Sequence, residues 1–272
     1  MPEGPEIRKA ADKVEKAILA APLDSVFFAF EHLKPYEKRL SGRKIQGVET
    51  RGKAMLIHFS NKLSIYSHNQ LYGRWMIRKA GDMPATGRQL RLALHNKKKS
   101  ALLYSASDIE VLDQEQVRQH PFLSKLGPDI MSASSNEVMQ QLMSKRFQRR
   151  QLNSLYLDQH FLAGVGNYLR SEILFCAGVH PRMRPCDCND EQLHALATLS
   201  TRLPRQSYRH NGVTNDLKLA RAMKTEGRKR QQYRHWVFSR EGQDCHRCGT
   251  SIIKDIAASR RYYYCPKCQP AN

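Results

Sequence analysis

Apolar residues near the start of the chain fall at Ile7, Ala10, Ala11, Val14, Ala17 and Ile18. This is the spacing of a helix with one buried face, predicted over Pro5 to Ala20. The period then changes to two. "KAMLIHFSNKLSIYS" alternates Met55, Ile57 and Phe59 across a Ser60-Asn61-Lys62 turn into Leu63 and Ile65, and "LRLALHNKKKSALLYS" has the same form. Both predict antiparallel hairpins, and a β-rich first region closing at the Gly127-Pro128 punctuation is expected to be a sandwich. Beyond it the helical period returns. Ser134 and Glu137 have capping-box spacing ahead of Val138, Leu142 and Met143. "RRQLNSLYLDQ" predicts a second helix, "YLRSEILFCAG" a third capped by Asn167 and ended at Gly178, and "CNDEQLHALATLSTRL" a fourth stopping before Pro204. Residues 205–234 are polar and basic, and are expected to be a linker or a loop facing nucleic acid. The predicted fold is an α+β multidomain protein, divided at 1–128, 129–234 and 235–272.

Charge narrows the choice of partner. The 272 residues carry 45 Lys and Arg against 25 Asp and Glu, a formal charge of +20, and an excess of that size draws a protein toward polyanions. No stretch approaches the roughly 20 apolar residues that span a bilayer, so nucleic acid is expected and membrane is not. The N-terminus lacks the apolar segment of a secretory signal, which predicts a cytoplasmic protein whose seven cysteines are thiols or metal ligands.

Four of those cysteines form the sharpest motif. Cys245-x2-Cys248, sixteen intervening residues, then Cys265-x2-Cys268 provide two thiolate pairs on tight knuckles, the pattern of one structural zinc ion. Such a site stabilises a module too small for its own core. "KDIAASRRYYY" between the pairs predicts a hairpin with Ser259, Arg260 and Arg261 at its tip or edge. Cys176 falls on the apolar side of its helix, and Cys186 and Cys188 lack a second pair, so none of the three is assigned chemistry.

Other motifs are open to two interpretations. "FLAGVGNY" puts Gly164, Gly166 and Asn167 at a helix start, where exposed N–H groups bind phosphate, although two packed helices also use such a turn. Lys53 follows "ETRG" at a strand entrance, where most lysines are solvated. In "SHNQLYG", Gln70, Leu71 and Tyr72 either fold back into the core or stand out as a wedge for a base stack. In "MPEGPEI", removal of Met1 turns Pro2 into a secondary amine beside Glu3 and Glu6, whereas a purely structural role puts Pro5 in the first helical turn with acids favouring the dipole.

"MPEGPEI", "TRGKA", "HPFL…LGPD", "FLAGVGNYLRSEILF" and "SRRYYYCPKCQ" occur in this order along nearly the whole chain. Together they resemble the formamidopyrimidine-DNA glycosylase/endonuclease VIII family, and "YSHNQLYG" is similar to its endonuclease VIII branch. The resemblance implies an N-terminal β-sandwich, a helix-two-turn-helix domain and a zinc finger. It further implies a bifunctional DNA glycosylase and AP lyase of base-excision repair, acting as a monomer on double-stranded DNA that carries damaged bases or abasic sites. Pro2 matches the nucleophile that forms an iminium at C1′, Glu3 the general acid/base, and Glu6 a residue that orients the site. Lys53 matches a second proton donor, used for β-elimination, and Arg260 the finger arginine of δ-elimination and phosphate binding. Gln70, Leu71 and Tyr72 would fill the stack vacated by an everted base, while Asn167 and the glycine turn grip phosphate.

Three features depart from that pattern. Lys125 stands where the family commonly has a DNA-contacting arginine, keeping charge but losing the bidentate fork. Arg261 replaces an expected proline, and the Cys-x-Cys at 186–188 is not a family feature. Oxidised pyrimidines are the expected substrates. The alternatives are an oxidised-purine glycosylase and a zinc-ribbon DNA-binding protein without catalysis, for which Pro2 would have no use.

Overall fold

A computed structural model describes residues 2–257 and 259–271. Met1, whose removal the expected Pro2 amine requires, and Ala258, in the segment expected to form the finger hairpin, lie outside the described residues. The chain divides into two units, residues 1–2 with 6–125 and residues 3–5 with 126–272.

In the first unit, helix α1 (Gly4–Ile18) buries Ala11, Val14, Ala17 and Ile18, the face its spacing predicts. It is followed by β1 (Ser25–Phe28), α2 (Pro35–Leu40), β2 (Ile45–Arg51), β3 (Ala54–Phe59), β4 (Ser64–His68), β5 (Arg74–Lys79), β6 (Leu90–His95), β7 (Lys99–Tyr104), β8 (Asp108–Leu112) and α3 (Gln114–Gln119). The strands form two antiparallel four-stranded sheets, ordered β1-β6-β7-β5 and β2-β3-β4-β8. Register explains the common core. Val48, Ile57, Ile65 and Val111 stand opposite one another across one sheet, and Val26, Leu94 and Ala101 do so across the other. All seven belong to one buried cluster, the expected sandwich.

The second unit contains α4 (Ser135–Met143), α5 (Leu152–Leu155), α6 (Asn167–Cys176), α7 (Asp190–Arg209), α8 (Leu217–Thr225), α9 (Arg230–Tyr233), and the hairpin β9 (Ile253–Ala257) with β10 (Arg260–Tyr264). The Ser134–Glu137 capping box is present. Four features differ from expectation. Only Leu152–Leu155 of "RRQLNSLYLDQ" is helical, because the Leu152 and Asn153 N–H groups bond to the Met183 and Pro181 carbonyls. Asn167 is the first helical residue, not the cap, which is Gly166 with no capping side chain of its own. Helix α7 passes through Pro204 to Arg209. A mid-helix proline costs about 3 kcal/mol, and burial of Leu196, Leu199, Leu203, Pro204 and Ser207 offsets it. Segment 205–234 is not a loop. It finishes α7 and contains α8 and α9, anchored by Asn215, which is fully buried.

Candidate active site and four-cysteine cluster

Because an α-helix leaves its first N–H groups without intrahelical partners, the start of α6 needs an acceptor, and Gly166 has no side chain to offer. Glu3 supplies it. Its carboxylate, 2% exposed, accepts the N–H groups of Gly166 at 2.6 Å, Tyr168 at 2.8 Å and Leu169 at 3.3 Å. Charge-assisted bonds at the positive end of a helix are the strongest a carboxylate makes there. Two glycines admit it. A Cβ on Gly166 would lie 2.5 Å from the Glu3 carboxyl carbon, and Gly164 has φ +98° with the Ile130 side chain 2.9 Å from any Cβ. The Gly4 N–H bonds to the Gly164 carbonyl at 2.9 Å. Of the N–H groups expected to be exposed in "FLAGVGNY", Gly164's goes to Gln159 and Gly166's to Glu3. Asn167 is half-buried and its Oδ1 has no hydrogen-bond partner.

Further along α6 are two charges that no sequence motif marks. Arg170 is fully buried and donates to the carbonyls of Asn153 at 2.6 Å and Arg261 at 2.8 Å, with Tyr262 under its guanidinium. Burial pulls its pKa down to about 10, against the opposing pull of Glu3. Glu172, also fully buried, accepts the Thr214 hydroxyl at 2.5 Å and the N–H groups of Trp236, Val237 and Phe238. Burial raises its pKa and those bonds lower it. The detectable signal was two opposite charges inside the apolar run "YLRSEILF". Through Arg170, α6 holds the backbone beside Arg260, which is exposed at the start of β10.

The first unit contains the remaining candidates. Lys53, in the β2–β3 turn, is not solvated as most lysines are but 7% exposed. Nearby His68 has its pKa lowered to about 4, first by burial and then by the charge of Lys53. A neutral imidazole is what the next turn requires, because His68 Nδ1 accepts the Gln70 N–H. That turn is closed by Gly73 N–H on the Asn69 carbonyl, held by Arg88 on the Tyr72 carbonyl and by Ser107 on Gln70 Oε1, and Gln70 takes φ +48°. Leu71 and Tyr72 do not fold back into the core. They are 63% and 70% exposed. Immediately after them β5 walls a cavity of about 650 Å³, lined by Arg74, Trp75 and Arg78 and, from α1, by Glu6, Lys9 and Lys13. Pro2 is half-buried, and Lys125 is exposed.

Near the C-terminus the four sulfurs of Cys245, Cys248, Cys265 and Cys268 lie within 4.8 Å of one another. Three of these sulfur–sulfur separations, 3.5 to 3.9 Å, match the edge of roughly 3.8 Å expected for a tetrahedron with metal–sulfur bonds of about 2.3 Å. The cluster therefore fits a structural metal ion.

The chain thus combines a two-sheet unit with a helical unit that has a carboxylate-sealed helix start and ends in a four-cysteine finger. Comparisons with known proteins show which class has this combination. The formamidopyrimidine-DNA glycosylase N-terminal domain family matches residues 1–119, the formamidopyrimidine-DNA glycosylase H2TH domain residues 126–216, and the zinc finger found in FPG and IleRS residues 242–271. Endonuclease 8 of Salmonella enteritidis is 49% identical over 271 residues, covering 99% of this chain and 100% of its own, as is that of Salmonella gallinarum. Two solved structures share the fold. MutM in complex with DNA containing carbocyclic 8-oxo-G has a TM-score of 0.81 at 22% identity, covering 99% and 100% of the two chains. Lactococcus lactis formamido-pyrimidine DNA glycosylase, non-covalently bound to DNA containing an AP site, has a TM-score of 0.80 at 21% identity with the same coverage. The chain belongs to the formamidopyrimidine-DNA glycosylase/endonuclease 8 family and is a base-excision-repair DNA glycosylase with AP lyase activity. No helix among the described residues is long and apolar enough to cross a membrane.

Two outcomes are expected. Gly166→Ala should destabilise the protein by about 1–3 kcal/mol in urea unfolding, the cost of overpacking, and slow base excision more than tenfold as Glu3 is displaced. A wild-type excision rate would separate the placement of Glu3 from the chemistry. Stability should also fall by about 3 kcal/mol as pH drops from 6.5 to about 4, because the unfolded chain binds a proton at His68 that the folded chain refuses. In His68→Asn, whose Oδ1 replaces Nδ1 as acceptor, unfolding curves across that window should lose this part of the slope.

Proposed function

We propose that the chain removes oxidised pyrimidines from double-stranded DNA through an iminium on Pro2 and cleaves the strand by β,δ-elimination, working as a cytoplasmic monomer. The observation that carries the proposal is the Glu3 carboxylate fixed by three backbone N–H groups. It sits one peptide bond from the only N-terminal imino nitrogen the chain can offer once Met1 is removed.

In this mechanism the Pro2 nitrogen attacks C1′ of the damaged nucleoside, and the electron pair of the glycosidic bond leaves with the base, which takes up a proton. Glu3 accepts the proton shed by the alkylated amine and returns it to the ring oxygen as the sugar opens to the iminium. The iminium acidifies C2′. Loss of that proton expels the 3′ phosphate, and a second elimination expels the 5′ phosphate. Lys53, held away from solvent, serves the proton transfers of the first elimination. Arg260 on β10 neutralises phosphate in the second. Water then hydrolyses the conjugated product from Pro2 and restores the amine.

Base eversion precedes this chemistry. The exposed Leu71 and Tyr72 enter the vacated stack with Gln70, and the cavity bordered by Glu6 and the β5 wall receives the base. Asn167 and Lys125 bind backbone phosphate, with Gly164 and Gly166 shaping the turn that carries Asn167. The ion of the four-cysteine cluster is zinc, which crosslinks the finger that carries Arg260.

Borohydride reduces such an iminium to a stable amine, so wild-type protein should be trapped covalently on an oligonucleotide containing thymine glycol. Pro2→Gly should lower trapping and base excision at least a hundredfold, and full activity in that variant would sink the mechanism. Thymine glycol duplexes should be cut at least tenfold faster than 8-oxoguanine duplexes, while the reverse order would assign the chain to the oxidised-purine branch. Elemental analysis of purified protein should find one zinc per chain, and Cys248→Ser should abolish it together with strand cleavage.

A further inference from the structure

Residues 217–234 contain seven cations, Lys218, Arg221, Lys224, Arg228, Lys229, Arg230 and Arg234, against one acid, Glu226. They lie between the segments matched by the helical and finger families, 126–216 and 242–271. The mechanism above uses none of them.

The segment is built, not loose. Asp216 caps α8 by accepting the Lys218 and Leu219 N–H groups at 3.0 and 2.9 Å. Arg228 N–H closes the far end on the Met223 carbonyl, with Gly227 at φ +77°. The flanks are stitched together. Thr214 N–H bonds to the Arg234 carbonyl, Asn215 Nδ2 to the Tyr233 carbonyl, and Gln206 on α7 to the Asn215 carbonyl. Leu219, Ala220 and Met223 turn toward the protein, while Lys218, Arg221 and Lys224 are exposed on the other face.

Local electrostatics gives no reason for that face. Lys218 stands in the first turn of α8, where the helix dipole disfavours a cation, and only Lys224 is near the end that favours one. Among the described residues, Lys218, Arg221, Lys224 and Lys229 have no acidic partner. The one acid, Glu226, is shared with Arg228 at 3.7 Å. Anchoring this many like charges within a few turns raises their mutual repulsion, and a row of phosphates at fixed spacing is the partner that relieves it.

We propose that the outer face of α8 with the Arg228–Lys229 turn ahead of α9 is a platform for the phosphodiester backbone of duplex DNA, lengthening the contact beyond the nucleotides that undergo reaction. This rests on the DNA-repair function, but its test needs no lesion. Binding of undamaged duplexes of 12 and 30 base pairs is measured across a salt series for wild type, for Lys218→Gln/Arg221→Gln/Lys224→Gln, and for Lys218→Arg/Lys224→Arg, with thermal melting to confirm folding. On the longer duplex the glutamine variant should lose roughly 0.9 per phosphate from the slope of log K against log salt, about 2.7 in all. It should also lose most of the affinity gained on lengthening the duplex, while the arginine variant keeps both. A folded glutamine variant with an unchanged slope would overturn the platform, as would equal losses on both duplexes. Neither outcome would touch the Pro2 mechanism, which the trapping experiment tests separately.

Discussion

The Glu3 carboxylate occupies the start of α6, where the N–H groups of Gly166, Tyr168 and Leu169 would otherwise lack an acceptor. Each bond to a charged group contributes about 1.5–3 kcal/mol net, and an unmade one would leave a buried donor at full desolvation cost. The constraint therefore acts in both directions. The helix needs a carboxylate brought from far away in the chain, and the N-terminal residues gain a fixed address from a helix that begins more than 160 positions later. Gly164 and Gly166 are glycine for this reason, since a side chain at either meets Ile130 or Glu3 itself. The requirement is for close approach, and the pattern that resembles a phosphate cradle is in large part a carboxylate cradle.

What holds Glu3 also organises the rest of its unit. The next turn of the same helix contains Arg170 and Glu172, both fully buried, an arrangement that is costly unless every donor and acceptor has a partner. Glu172 is satisfied by the Thr214 hydroxyl and by backbone N–H groups, whereas Arg170 places two of its nitrogens on backbone carbonyls and leaves Nε buried without a hydrogen-bond partner. Arg170 binds the Arg261 carbonyl on β10, and Glu172 binds three successive N–H groups at 236–238. One helix thus fixes the N-terminal carboxylate, the strand that carries Arg260, and the chain that leads into the four-cysteine cluster. A finger this small has little core of its own, and Phe175 of α6 is part of it, so the helix helps to order it beside a cysteine cluster that fits a structural metal ion.

Much of this was legible in the residues, and the exceptions have physical causes. The two hairpins around Ser60–Lys62 and 95–99, the Ser134 cap and the cysteine knuckles follow from local periodicity and local chemistry, and all are present. Of the four expectations that failed, three show most plainly how tertiary contacts outweigh local rules. Asn167 is a good capping residue, but a distant glutamate took that role. Pro204 breaks helices in isolation, but a buried face carried α7 through it. The polarity of 205–234 suggested a loop, although three apolar residues and a buried Asn215 suffice to seat α8. Arg170 and Glu172 were hidden because charges inside an apolar helix look like exceptions until their partners are known.

The Asn69–Gly73 turn illustrates the opposite balance, in which the fold maintains a local cost. Leaving Leu71 exposed forfeits up to about 1.5–3 kcal/mol of burial, and Gln70 adds a left-handed backbone that only glycine adopts freely. Four hydrogen bonds hold the turn in that state, from Gln70 to His68, Gly73 to Asn69, Arg88 to Tyr72 and Ser107 to Gln70. The first exists only while His68 is neutral, which burial and the neighbouring Lys53 ensure. Lys53 therefore links two features of the first unit, the proton transfers proposed for it and the electrostatic condition that keeps Leu71 and Tyr72 extended. If the proposed insertion into a base stack holds, those two side chains would recover the burial they lack in the free protein, and the energy withheld from folding would help to offset the loss of stacking when a base is everted.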